Sequence, residues 1–195
     1  MNEIKNVCVY CASSTQVAPV YFDAASRLGE ILASQGINLI NGAGCQGLMR
    51  SVSDAVLAGG GTVTGVIPRF MVERGWHHSG LTRLVQTETM HERKRLMIDM
   101  ADGIIALPGG CGTLEELLEA ITWKQLGLHP KPIVVLNTNR FYDPLLELLR
   151  QAADQKFMRE QHMNLWQMAY TPEEAVDLLY TIPYWSKEIC KFAAI

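Results

Sequence analysis

The chain has 195 residues, 48% of them apolar, and a formal net charge of −3. That length suits one α/β domain spanning residues 1–195, with enough core to need neither disulfides nor metals. The mildly acidic, mixed surface offers no general attraction to nucleic acid, and no apolar run approaches the length of a membrane span.

Five cysteines, Cys8, Cys11, Cys45, Cys111 and Cys190, are odd in number and scattered in spacing. Cys8 and Cys11 form a CxxC, but no second pair or histidine cluster follows to complete a zinc site. Reduced thiols in a cytoplasmic protein are the expectation, with no metal or other cofactor implied. The N-terminus lacks a basic start followed by an apolar core and a cleavage site, so a soluble intracellular protein is expected.

The predicted elements alternate. Val7 to Cys11 is short, β-rich and not alternating in polarity, as befits a strand covered on both faces. The polar turn 12–15 leads to a helix over 19–35, with Ala24, Leu28, Ile31 and Leu32 as its stripe and Gly36 as its stop. A strand over 37–40 precedes a glycine-rich turn, and a helix over 47–58 closes at Gly59 to Gly61. A third strand, 62–67, stops at Pro68. Residues 69–80 carry charges, Trp76 and the pair His77-His78, and read as an irregular lid or partial helix over a site. A strand within 81–87 and a helix over 89–101 follow. The fifth strand, 103–107, feeds a helix from about Thr113 to Gly127. A sixth strand lies at 132–136, and a helix begins after Asp143-Pro144. A short strand within 165–170 and a last helix, opened by Thr171-Pro172-Glu173-Glu174, complete the pattern. Strand–helix alternation throughout predicts a three-layer Rossmann-like fold with a mostly parallel sheet of about seven strands. Ligands in such folds sit beyond the carboxyl ends of the strands, so the loops there are where function is sought.

Pro108 to Glu116 is the most informative of them. A buried strand runs into Gly109-Gly110-Cys111-Gly112, and Thr113 opens a helix with Glu116 as its expected reciprocal capping partner. Glycines let backbone approach a ligand, and free amides at a helix start bind phosphate. A plain tight turn with a capping box would need fewer glycines. The run lacks the P-loop's lysine, and the first strand's turn has no GxGxxG. Gly42-Ala43-Gly44-Cys45-Gln46-Gly47 has that spacing, but no acid stands about 20 residues on to take a ribose, so the loop reads as a second approach to the same ligand.

Leu114, Leu117, Leu118 and Ile121 fall at i, i+3, i+4 and i+7, which predicts the buried stripe of this helix. Glu116 then lies off it in the first turn, and Glu115 and Glu119 share another flank. A carboxylate beside a phosphate loop is useful where positive charge develops, as in glycosidic bond cleavage through an oxocarbenium-like state. His91 to Arg95 is the densest basic cluster, and Met90, Arg93, Met97 and Met100 share a helix face. It reads either as a solvated charge run or as a source of one guanidinium, Arg93, placed to clamp a phosphate or orient a carboxylate. His77-His78 reads as surface histidines.

The pattern PGGxGTxxE, met by Pro108, Gly109, Gly110, Gly112, Thr113 and Glu116, and the segment MHxRK, met by Met90, His91, Arg93 and Lys94, resemble the LOG-type family. These are cytokinin riboside 5′-monophosphate phosphoribohydrolases, formerly described as possible lysine decarboxylases. The resemblance runs from Val7 to about Tyr180. It implies cleavage of the base–ribose bond in AMP or its N-substituted relatives, without a cofactor. It implies Glu116 as the residue that stabilises the ribosyl cation and Arg93 as its partner. Gly109, Gly110, Gly112 and Thr113 would hold the phosphate, with Met90, Lys94, Gly44, Gly47 and Ser14 completing the substrate pocket. It also implies a homodimer with the site near the subunit boundary, and larger assemblies in some members. The family's run after the second strand is closer to GGGxxGLMG, so Ala43 and Arg50 depart from it, and Arg50 raises a question of pocket charge. Nothing marks a lysine to hold pyridoxal phosphate. The alternative is a nucleotide carrier or sensor, since molybdenum-cofactor carriers and DNA-processing proteins resemble this architecture; such a binder would need neither Glu116 nor Arg93 in a catalytic pose.

Overall fold

Short β-branched runs bounded by glycine, proline and polar turns cannot bury both faces alone, and here they stack side by side beneath helices. The computed structural model of the protein describes residues 3–186. The strands are β1 (Asn6–Tyr10), β2 (Asn38–Asn41), β3 (Val63–Pro68), β4 (Arg83–Thr87), β5 (Gly103–Ala106), β6 (Ile133–Leu136) and β7 (Gln167–Ala169). Between and after them come α1 (Pro19–Ser34), α2 (Gly47–Ala58), α3 (Arg69–Glu73), α4 (Met90–Met100), α5 (Cys111–Gln125), α6 (Asp143–Asp154) and α7 (Pro172–Thr181). Every strand expected from the sequence is present within a residue or two, and residues 69–80 contain the partial helix expected there.

The strands form one sheet in the order β4-β3-β2-β1-β5-β6-β7, and all six neighbouring pairs are parallel. The central strands β5 and β6 are buried throughout, whereas the edge strand β4 is largely uncovered. Alternate residues of β1 point to opposite layers. Val7 and Val9 join Leu28, Leu32, Val52 and Leu179 from α1, α2 and α7. Cys8 and Tyr10 join Met97, Ile98, Leu117 and Ile121 from α4 and α5. The chain travels outward from β1 to β4, then returns to β1's other side at β5. That reversal opens a crevice at the carboxyl ends of β1 and β5. The two exits are stitched together, with the Leu107 amide donating to Tyr10 O (2.9 Å) and the Ala12 amide to Pro108 O (3.2 Å).

Two expectations are corrected. The helix after β5 starts at Cys111, with Gly110 as its N-cap and no side-chain cap, so Thr113 sits inside the first turn and does not cap with Glu116. Its buried face is Thr113, Glu116, Leu117, Ala120, Ile121 and Lys124; Leu118 is exposed and Leu114 only half-buried. Cys8, Cys11, Cys45 and Cys111 are free thiols, and Cys190 lies outside the described residues. No helix among the described residues is long and apolar enough to cross a membrane.

Candidate functional site

The loops leaving β1, β2 and β5 converge on a cleft of about 630 Å³. Ser13 and Ser14 come from the first loop, Gly42, Gly44 and Gln46 from the second, and Gly110 and Gly112 from the third. Arg93, Thr113 and Glu116 also line it, and so do Met49, Met71 and Trp76. A larger cleft of about 870 Å³, between α6 and residues 156–164, shares no lining residue with it and carries none of the glycine loops.

The start of α5 forms one wall. The Leu114 amide makes the first helical bond, to Gly110 O at 3.0 Å. The amides of Cys111, Gly112 and Thr113 precede it and have no intrahelical acceptor, so they offer donors and the positive end of the helix dipole to an anion. A Cβ built on Gly110 or Gly112 would meet nothing within 4 Å, so the space above them is open. Gly109 differs: its Cβ would strike Thr113 Oγ1 at 2.1 Å, so this glycine lets the loop fold back on its own helix.

Arg93 and Glu116 meet although they stand on α4 and α5. Their Nη2 and Oε1 atoms lie 3.5 Å apart, with side chains 8% and 10% exposed. Arg93 Nε donates to Val66 O at 3.1 Å, which fixes the guanidinium against β3. The space it fills is left by Gly42, where a Cβ would lie 1.9 Å from Nη2. Burial pushes the Glu116 carboxyl above its ordinary range. Arg93 and, at longer range, Lys94 oppose the shift, while Glu115 and Glu119 add to it. The pair therefore places a poorly solvated carboxylate beside a helix start with free amides, where it would meet any developing positive charge.

The remaining residues named from the sequence are distributed unevenly. Ser14 and Gly44 line the cleft. Gly47 supports it from behind: its φ is +62°, and a Cβ there would press within 2.4 Å of the Ser13 backbone. Met90 is exposed, and its sulfur stands 3.9 Å from Arg93 Nη1, flanking the guanidinium without lining the cleft. Lys94 turns away. Its ammonium reaches Glu115 at 2.6 Å and Glu119 at 3.1 Å, tying α4 to α5. Arg50 also faces elsewhere, pairing with Asp54 one turn on at 3.1 Å, so its charge is not in the cleft. Ala43 adopts φ +60°, a conformation that favours glycine, and is almost fully buried.

Met71 and Trp76 line the cleft although no motif marks them as site residues, whereas Gln46 and Met49 reach it from within the glycine-rich run 42–50. The signal available was the position of Trp76 in an irregular segment following a strand's carboxyl end. Among the described residues no group of three or more histidines, cysteines or acids is placed to hold a metal ion.

A family model described as "Possible lysine decarboxylase" matches residues 49–179. No lysine lines the cleft, so its geometry gives that description no support. The cytokinin riboside 5′-monophosphate phosphoribohydrolase LOG of Oryza sativa subsp. japonica is 44% identical over 175 residues, covering 90% of this chain and 72% of that protein. The probable phosphoribohydrolase LOGL2 of the same plant is 42% identical over 178 residues, covering 91% and 73%. Among solved structures, the molybdenum cofactor carrier protein of Chlamydomonas reinhardtii superposes with a TM-score of 0.71 at 18% identity, covering 92% of this chain and 98% of that one, a likeness of fold alone. With the family model covering most of the chain, and relatives above 40% identity spanning nine-tenths of it, the chain belongs to the LOG family of cytokinin riboside 5′-monophosphate phosphoribohydrolases.

Proposed function

We propose that this protein hydrolyses the N-glycosidic bond of purine nucleoside 5′-monophosphates, AMP or its N-substituted relatives, releasing free base and ribose 5-phosphate. The observation that carries this reading is the buried Arg93–Glu116 pair beside the open amides of α5. The phosphate binds the amides of Cys111, Gly112 and Thr113, which sets the ribose against Glu116. As the C–N bond breaks, its electrons leave with the base and positive charge grows on the ribose. The Glu116 carboxylate stabilises that charge and orients the water that adds to the anomeric carbon. One water proton ends on the departing base. Arg93 opposes the rise that burial imposes on the Glu116 carboxyl, which favours its ionised form, and holds it in place.

The protein further acts as a homodimer, open to larger assembly, in the cytoplasm. Leu118, Leu126 and Leu128, exposed on α5 and just after it, supply apolar surface for a second copy. The free thiols suit a reducing compartment.

Incubation of the pure protein with a panel of nucleoside monophosphates, followed by chromatography, tests the reaction. Adenine and ribose 5-phosphate in equal amounts are expected from AMP. Binding of AMP with no release of base from any nucleotide would overturn hydrolysis in favour of a carrier or sensor.

A further inference from the structure

Residues 74–80 form a strap between α3 and β4 that carries Trp76 to the cleft. The strap is anchored at several points. Gly44 and His77 form an antiparallel bridge, the Cys45 amide donates to Trp76 O at 3.1 Å, and the His78 amide donates to Ala43 O at 2.8 Å. Arg74 lies over the Trp76 ring, its guanidinium carbon 5.0 Å from the centroid. The side-chain anchor is His78. Its Nδ1 accepts from the Gly80 amide at 3.0 Å, so Nε2 carries the proton and donates it to Asp54 Oδ1 at 2.7 Å. Asp54 belongs to α2, and its other oxygen accepts from Arg50 Nε at 3.1 Å. The His78 side chain is 12% exposed, and both its ring nitrogens are paired.

The cleft is thus lined by two chemically distinct sets of groups. The start of α5 and Glu116 serve a phosphate and a ribose, and Trp76, Met71 and Met49 offer apolar and aromatic surface. An indole half exposed beside a cleft is a surface on which a planar base stacks. We infer that Trp76 is the base-stacking wall of the site, and that His78 and Asp54 are positioning residues that hold this wall in place by latching the strap to α2. The inference rests on the nucleotide reading of the cleft but not on turnover.

Calorimetric binding of AMP and of ribose 5-phosphate to the full chain tests it, because the second ligand lacks the base. Trp76→Ala should weaken AMP binding about tenfold, the scale of one stacked base, and leave ribose 5-phosphate unchanged. His78→Ala and Asp54→Leu should each weaken AMP binding severalfold with the same selectivity, and Asp54→Asn, which still accepts from Nε2, should restore it. The double variant Trp76→Ala/His78→Ala should bind no worse than Trp76→Ala, since the latch acts through the indole. In kinetics the loss falls on KM rather than kcat. Equal weakening of both ligands, unchanged AMP affinity in Trp76→Ala, or additive losses in the double variant would each overturn the inference. If no nucleotide is cleaved but AMP binding shows this pattern, the hydrolase reading fails while the wall and its latch stand.

Discussion

At the scale of single residues, Glu116 is an acid placed where folding alone would not put one. Its carboxyl is raised by burial, and Arg93 compensates only in part. The folded chain therefore binds this proton more tightly than the unfolded chain, and stability falls as pH rises from the ordinary carboxylate value of 4.5 toward the raised one. Glu116→Gln should consequently melt above the parent at pH 7, with the difference vanishing below pH 4, as thermal melts at both pH values would show. The same substitution should lower kcat by about 10²–10³-fold. In the parent, the acid limb of the kcat/KM profile should fall above the usual carboxylate range, because only the ionised form stabilises a ribosyl cation. Gain of stability with loss of rate is what a charge kept for function, at a cost to folding, produces.

At the scale of elements, the Arg93–Glu116 pair depends on how α4 and α5 sit together. Lys94 is buried between them and held by Glu115 and Glu119. Burial alone would lower its pKa, but the two carboxylates outweigh that and raise it. Lys94 also lowers the Glu116 pKa. Lys94→Met should destabilise the protein by about 2 kcal/mol, less than for a fully buried pair because Glu115 is largely exposed. It should also move the acid limb of the activity profile further upward and reduce kcat/KM about tenfold (~1.4 kcal/mol). Denaturant melts and pH–rate profiles would check this; a pure rise in KM with an unmoved acid limb would instead mark Lys94 as a ligand of the phosphate.

The orientation of α5 is the feature least legible in its sequence. Leucines at i, i+3 and i+4 suggest one face, yet the helix buries the face bearing Thr113, Glu116 and Lys124. Hydrophobic spacing identifies the core face only when polar residues are kept off it, and here three polar residues, Thr113, Glu116 and Lys124, lie on it. Leu118, a core residue by its spacing, is left on the surface. The glycines of the site are easier to find than to interpret. Gly110 and Gly112 leave open space as expected, whereas Gly42 makes room for a guanidinium from another helix and Gly109 for Thr113. Sequence neighbours do not reveal such contacts.

At the scale of the whole molecule, the layer of α4 and α5 carries one further charge. Lys124 is fully buried, its Nζ has no hydrogen-bond partner among the described residues, and the Trp185 ring lies 5.8 Å away. Burial lowers its pKa to about 7. The unfolded chain therefore binds more protons between about pH 7 and the ordinary lysine value of 10.5, and stability rises with pH across that window. Lys124→Met should stabilise the fold by a few kcal/mol at pH 6, since each tenfold loss of proton affinity on folding corresponds to about 1.4 kcal/mol, and the gain should fade toward pH 10. Urea midpoints at the two pH values would measure it, and a parent whose midpoint does not climb between them would contradict the assignment.

The sequence by itself determined the order and kind of the elements, because alternating β-branched runs and amphipathic segments can satisfy their backbone and bury their apolar faces together only as a layered parallel sheet. It also determined that a glycine-rich helix start with a nearby carboxylate lies at a strand's end, since those residues are contiguous in Pro108 to Glu116. The tertiary structure decided the partners. The strand order sets the exits of β1, β2 and β5 side by side, brings Arg93 within 3.5 Å of Glu116, turns Lys94 away toward Glu115 and Glu119, and swings Trp76 onto the cleft. Each of these depends on the relative placement of elements distant in sequence, a property of packing that local propensity and spacing do not encode.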